Sequence, residues 1–243
     1  MRVKDIINRV TLMYHDESYS RITQPQYLQL LDDAVQELIT SRPDSHEKRV
    51  VMKLGAGARQ QLPEETCVLI DVYANKTLIS DGVYADGQPV FQVDRKNLDY
   101  FSNWYQDSET TTFISEFAYD VRSPHDFWVN PPVKDNSSVY VEIGYSYLAP
   151  QFYDMLSTKT FDEIMNESIP VSAMFRAALV QYMLYLLYST DSTAASDREI
   201  AATYLKSFYQ SLALEYQNET VTVPRIVQNT TQGIGVYPNV STQ

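Results

Sequence analysis

A chain of 243 residues can bury a core of one or two domains. Its net charge of −12 repels nucleic-acid phosphates. That argues against tight binding of DNA or RNA, although a duplex can pass nearby without being held. With 44% hydrophobic residues the composition is that of a folded protein, not of a chain disordered throughout.

The N-terminal stretch Met1-Arg2-Val3-Lys4-Asp5 lacks the apolar run of a secretory leader, so none is expected. Cys67 is the single cysteine, which leaves no intrachain disulfide. It sits in the apolar run Thr66-Cys67-Val68-Leu69-Ile70 and reads as a buried, inert thiol. Six Asn-x-Ser/Thr triplets, at Asn75, Asn136, Asn166, Asn218, Asn229 and Asn239, are composition rather than glycosylation sites without a secretory route. The 19 tyrosines against 9 phenylalanines suit interfaces and cores equally.

Val3 to Tyr14 carries the stripe Val3, Ile6, Ile7, Val10 and predicts a short amphipathic helix. Thr23 with Gln26 forms a capping box, and Pro25 fits the first turn. The second helix then runs to about Ser41 and is stopped by Arg42-Pro43-Asp44. Its apolar face holds Tyr27, Leu31, Ala34, Val35 and Leu38, while Asp32, Asp33 and Glu37 lie on others.

The pattern changes at Arg49. Strands are expected at Arg49–Leu54, Cys67–Ala74, Pro89–Asp94, Thr112–Tyr119, Asp126–Asn130 and Ser138–Tyr147. Turns are expected at Gly55-Ala56-Gly57, at Gly82 to Gly87, at Arg122-Ser123-Pro124 and at Pro131 to Asn136. Asp94 can cap a short helix reaching Trp104. Short strands with such turns predict an antiparallel β-sandwich or small barrel over residues 49–150.

Helical pattern resumes after Phe152. No Pro or Gly occurs from Val171 to Val223, and two long arms are expected there. The first, Val171 to Tyr188, is apolar nearly all round, with Arg176 and Gln181 the clearly polar side chains between Ala173 and Tyr188, so it must be covered on most faces. It is too short, and interrupted too early by Arg176, to cross a membrane. The second, about Ser196 to Tyr216, is one-sided: Ala201, Tyr204, Leu205, Phe208 and Leu212 share a face, and Ser196 with Glu199 fits a capping box. The turn between the arms is Ser189 to Ser192.

Residues 220–243 differ again. They are rich in Thr, Val, Asn and Gln, with Arg225 as the one charge, and Thr220-Val221-Thr222-Val223 alternates as a strand does. An extended arm that orders on a neighbouring protein is expected, through Val221, Val223, Ile226, Val227, Ile234, Val236 and Tyr237. The predicted fold is therefore α+β. A helical bundle (residues 1–48 and 151–219) combines an N-terminal helix pair with a C-terminal helical hairpin. It carries the inserted β domain and ends in the arm.

No catalytic, cofactor-binding or metal-binding set is found. His15, His46 and His125 fall on different elements, and no His-Glu-x-x-His or Cys-x-x-Cys occurs. Gly82 to Gly87 has phosphate-loop spacing, but Gln88-Pro89 follows in place of Lys-Ser/Thr. No Gly-x-Ser-x-Gly elbow is present. Asp162 with Glu163 could in principle serve a glycosidase, and Trp104 with Trp128 could stack a sugar, though core packing suits the tryptophans better.

Several phrases, taken in order, resemble a known family. They are Asp5-Ile6-Ile7-Asn8-Arg9; Leu30-Leu31-Asp32-Asp33-Ala34-Val35-Gln36-Glu37-Leu38 ending in Arg42-Pro43-Asp44; Leu62-Pro63 with Leu69-Ile70-Asp71-Val72; Phe117-Ala118-Tyr119-Asp120 with Phe127-Trp128-Val129 and Pro131-Pro132; and Tyr182-Met183-Leu184-Tyr185 with Ala201-Ala202-Thr203-Tyr204. Together they resemble the head-to-tail adaptors of short-tailed bacteriophages, similar to tail tubular A and gatekeeper-type connectors. The resemblance covers most of Met1 to Tyr216 and not the tail.

It implies a structural virion protein without a catalytic core, assembled in the host cytoplasm. It also implies a homo-oligomeric ring, commonly a dodecamer, under the portal protein. That ring would extend the DNA channel, let DNA pass without specific binding, and join the head to the tail nozzle and tail fibres. Asp32, Asp33 and Glu37 then become channel-lining candidates. Two other classes stay open: a virion-associated peptidoglycan hydrolase, and a glycan-binding module on the β domain.

Overall fold

The computed structural model describes residues 1–99, 110, 112–190 and 195–222. Helices from both ends of the chain form one core, and a β domain is inserted between them. Helix α1 is Val3–Tyr14 and α2 is Gln24–Ser41, the latter with the expected Thr23/Gln26 capping box. After two short helices, α3 (Arg95–Asp99) and α4 (Phe161–Met165), come α5 (Arg176–Thr190) and α6 (Ala195–Thr222).

Helix α5 is the centre. Leu179, Met183, Leu184 and Leu187 are fully buried, and α1, α2 and α6 all pack against it. The α6 face read from the sequence is the one that meets it: Ala201, Phe208 and Leu212 are buried and Glu199, Lys206 and Gln210 are exposed. Phe208 lies against Tyr182 with centroids 4.9 Å apart, and Tyr188 stacks on Tyr204 at 5.8 Å.

Three boundaries differ from expectation. The first arm does not start at Val171: a 3-10 turn, Ala173–Phe175, capped by Ser172, precedes α5. Helix α6 begins at Ala195, so Ser196 lies inside it and is not its N-cap. Its backbone stays helical to Thr222, so Thr220-Val221-Thr222 is helix rather than strand, with no Pro or Gly to stop it before Pro224.

Two polar devices fix the loops around this core. Asp16, 1% exposed, follows α1. One carboxylate oxygen accepts the Ser20 and Arg21 amides at 2.8 and 3.0 Å, and the other accepts the Ile22 amide at 3.0 Å and the Tyr27 hydroxyl at 3.2 Å. Burial alone would raise its pKa, but these donors outweigh burial and hold it below the usual range. Arg42 ends α2 as a buried fork. It pairs with both oxygens of Asp44 at 2.9 and 2.7 Å and donates to the Leu212 carbonyl of α6 at 3.4 Å.

The β domain has two four-stranded sheets. The first has the order β1-β8-β3-β4 and is antiparallel, from β1 (Glu47–Lys53), β3 (Thr66–Ser80), β4 (Val83–Pro89) and β8 (Tyr140–Tyr147). The second has the order β2-β7-β6-β5, from β2 (Gly57–Gln61), β5 (Phe91–Gln92), β6 (Glu116–Tyr119) and β7 (Asp126–Val133). Its β5–β6 pair is parallel, so this sheet is mixed.

The sheets share one apolar core, with Leu69, Val72, Val141 and Ile143 from one and Phe117, Phe127 and Val129 from the other. They do not close into a barrel. Asn75 of β3 joins them, donating to the Ile114 carbonyl and accepting the Ile114 amide, both at 2.8 Å. Asn75 is therefore a buried strut.

The domain leaves and rejoins the bundle at one place. His46, just before β1, lies against Tyr147 at the end of β8, 4.1 Å between rings, and its Nδ1 donates to the Pro170 carbonyl at 2.7 Å. Gly144 makes room for the polar contact above this sheet: a Cβ there would sit 2.1 Å from the Glu47 carboxylate that accepts the Tyr73 hydroxyl.

Leu179→Ala is expected to cost about 2–5 kcal/mol in a urea melt, because Leu179 is fully buried in the bundle core and its loss leaves a cavity there. Asp16→Ala is expected to cost about 2–3 kcal/mol, since it strands the buried Tyr27 hydroxyl and three part-buried amides at once. A lowered folded pKa means that the Asp16 contribution is fully present above the unfolded carboxyl value of about 3.9 and is lost as pH falls below it. The variant should accordingly show a flatter acid limb in melts between pH 5 and 2 (about the range of acid titration).

Candidate functional site

Among the described residues, no group of His, Cys, Asp and Glu is placed to hold a metal ion. The three histidines are well separated in role. His15 is the left-handed cap of α1, His46 is buried at the domain junction, and His125 is an exposed turn residue. Cys67 is half-buried, and burial pushes its thiol up, away from a reactive thiolate. Asp162 is exposed on α4. Its neighbour Glu163 is a cap: its carboxylate accepts the Thr160 amide at 2.8 Å and the Thr160 hydroxyl at 2.9 Å, which holds its pKa low.

A cleft of about 890 Å³ lies between α3 and the end of β6. Its wall is charged, and the charges answer one another. Arg122 forks onto Asp120, holding that carboxyl down to about 2, and Arg95 approaches Asp99 at 3.9 Å. Arg95 also lies over the Trp128 ring, 3.8 Å from its centre, so this face of the indole is covered and cannot stack a sugar as the structure stands. Trp104 lies outside the described residues.

A second opening, about 470 Å³, runs between α1, α5 and α6. It is more apolar, with Met13, Met174, Val180 and Leu184 in its lining and Arg9 and Arg176 at its sides.

The three acidic candidates on α2 separate clearly. Asp32 is half-buried, and its two oxygens accept the Phe152 and Tyr153 amides at 2.7 and 2.9 Å. Burial raises its pKa, and those two donors pull against the rise. It therefore clamps the end of the β domain's return segment to the N-terminal helix pair. Glu37 accepts the Tyr209 hydroxyl of α6 at 3.1 Å and the Ser41 hydroxyl at 3.2 Å. Asp33 is exposed. Of the arm residues, Val221 falls on the last turn of α6. Val223, Ile226, Val227, Ile234, Val236 and Tyr237 lie outside the described residues.

A helical core carries an inserted double sheet, and the shifted carboxylates Asp16, Glu163 and Asp120 are committed to internal bonds. The family model described as SU10 adaptor protein matches residues 1–231. The chain belongs to that family and is a head-to-tail adaptor of short-tailed phages, a structural protein of the virion. Its place is accordingly the virion neck, in association with portal and tail components. Among curated proteins, none matches the chain. No helix among the described residues is long and apolar enough to cross a membrane.

Asp32→Ala is expected to lower stability by about 1–3 kcal/mol, leaving two backbone donors without an acceptor. Asp33→Ala should change stability by no more than about 0.5 kcal/mol. Parallel thermal melts of the two variants check this difference.

Proposed function

We propose that the chain works as one subunit of a closed ring under the portal, extending the DNA channel and carrying the tail nozzle and fibres below. The match of the adaptor family over residues 1–231 carries this reading. The fold suits it. A bundle centred on a covered helix gives a stiff subunit, and heterologous contacts between identical stiff subunits close into rings. The net charge of −12 suits a channel through which DNA slides, because a like-charged wall holds no phosphate and releases no counterions. Asp33 is the α2 acid left for such a wall, since Asp32 and Glu37 are bonded within the chain.

The arm completes the attachment. Beyond Thr222 the sequence holds Val223, Ile226, Val227, Ile234, Val236 and Tyr237 with Arg225 as its one charge. So apolar a segment, broken by Gly233 and Gly235, pairs best with the edge or groove of the portal or a neighbouring subunit, and many copies acting together supply avidity. Val221, at the end of α6, is the point from which it leaves.

Negative-stain imaging of the chain mixed with its portal should show rings with an axial opening stacked on the portal. A chain ending at Thr222 should melt within about 2 °C of the full chain, because the packed core is untouched. It should no longer co-sediment with portal-bearing heads. Full attachment of the truncated chain would remove the arm from this role, and isolated monomers beside bare portals would remove the ring.

A further inference from the structure

The tip of the β3–β4 hairpin is apolar where a solvated turn is ordinarily polar. Leu78, Ile79 and Val83 are 43%, 66% and 52% exposed. They are held there by local structure. Ser80 pairs with Val83 around the turn Asp81-Gly82, with Gly82 at φ +72°, and the register shifts between Leu78 and Ser80, leaving Ile79 as the extra residue of a bulge. Bulges of this kind re-aim a side chain. The result is a stiff knob with three aliphatic side chains and one carboxylate, Asp81. Exposed apolar surface on an unpaired hairpin is a hazard unless something covers it.

The helical bundle offers a complementary feature. The groove between α1, α5 and α6 measures about 470 Å³. Met13 and Met174, 38% and 41% exposed, flank a floor of Val180 and Leu184. Methionine is the side chain best able to adapt its shape to an incoming apolar group. Arg9 and Arg176 stand at its sides, Arg176 at 3.6 Å from Asp5. The knob does not fill this groove within its own chain, since Ile79 is left 66% exposed.

We infer that the Leu78–Val83 hairpin tip of one copy seats in the α1–α5–α6 groove of the next copy, with Asp81 facing Arg9. This rests on the ring proposed above and names the contact that builds it. Charge decides the occupant. Two chains of net charge −12 repel, so their association needs a local place where opposite charges meet, and acid tip against basic groove is such a place. The chain's own residues 223–243 suit the groove less well, because their one charge, Arg225, has the same sign as Arg9 and Arg176. Knob and groove are different surfaces of the same molecule. The contact is therefore heterologous, and repeating it gives a ring when the rotation closes.

The test uses the full chain with Cys67→Ser. Chains carrying Ile79→Cys are mixed with chains carrying Met13→Cys and oxidised. A covalent dimer is expected from the mixture and from neither variant alone. Asp81→Arg and Arg9→Glu should each weaken self-association in sedimentation by about tenfold, and the double variant should recover most of the loss, as a coupled pair does.

A wild type that forms rings, gives no mixed dimer and ignores both charge changes would overturn the inference and leave the ring standing. A wild type that stays monomeric at high concentration, with and without portal, would overturn the ring and this contact with it. Cross-linking that appears only after removal of residues 223–243 would give the groove to the arm and overturn the inference alone.

Discussion

The structure depends on covering one helix. Helix α5 has apolar side chains on nearly every side, and of its 15 residues Arg176, Ala177 and Thr190 are the exposed ones. Such a helix has no stable surface position in water, since each aliphatic side chain left out forgoes about 1.5–3 kcal/mol. Its neighbours must therefore come from all round. The long α6 supplies one side through Phe208 and Leu212, and α1 and α2, from the other end of the sequence, supply the rest. The N-terminus is brought against the segment that precedes α5 by this demand. The Val3 amide donates to the Glu167 carbonyl and the Ile169 amide to the Met1 carbonyl, both near 3 Å.

The β domain can be large because its attachment is small and rigid. It leaves the bundle at His46 and returns after Tyr147, and the rings of these two residues are in contact. The Nδ1 bond to the Pro170 carbonyl fixes the His46 tautomer. Burial lowers the pKa of His46, so the junction is built around a neutral ring. Asp32 adds a second clamp a few residues past the return point, at Phe152 and Tyr153. The sheets are thus carried as an appendage whose far end, the β3–β4 tip, projects beyond the shared core.

What the sequence revealed follows from how local the cause is. Helices α1 and α2 were legible because a 3.6-residue apolar period and a Thr-x-x-Gln cap are written within a few residues of each other. The nearly unbroken apolar run of α5 was legible for the same reason, although its start was not, because Ser172 caps a 3-10 turn instead. Strands β2 and β4 were not legible. Gly57-Ala58-Arg59-Gln60-Gln61 and Val83 to Pro89 have little β propensity of their own, and each exists by pairing with a long partner, β7 or β3.

Strand β7 runs on through Pro131 and Pro132, where a turn was expected. Neither proline owes a donor there, since the β2 register shifts between Gly57 and Arg59 opposite them. The structural role of Asp32 was hidden because its partners lie 120 and 121 residues away. The exposed tip was hidden too, because β3 was expected to stop at Ala74 and instead carries six residues further.

The electrostatics of the subunit match a scaffold more closely than a reaction centre. Perturbed groups mark active sites when several converge on one cleft with pKa values pushed apart. Here each shift has a separate and local cause. Asp16 closes its loop, Glu163 caps α4, Asp120 holds Arg122, and Tyr27 and Tyr73 are raised by burial first and by the acids they donate to. These bonds order turns and junctions, and they leave the outer surface with an excess of negative charge and a few exposed apolar side chains. In the ring proposed above, a surface of that kind could not hold by charge alone, and the contacts between copies would fall where the apolar side chains are. The proposed tip-in-groove contact would then carry the assembly, and the acid elsewhere would weaken adhesion to DNA and between unassembled copies.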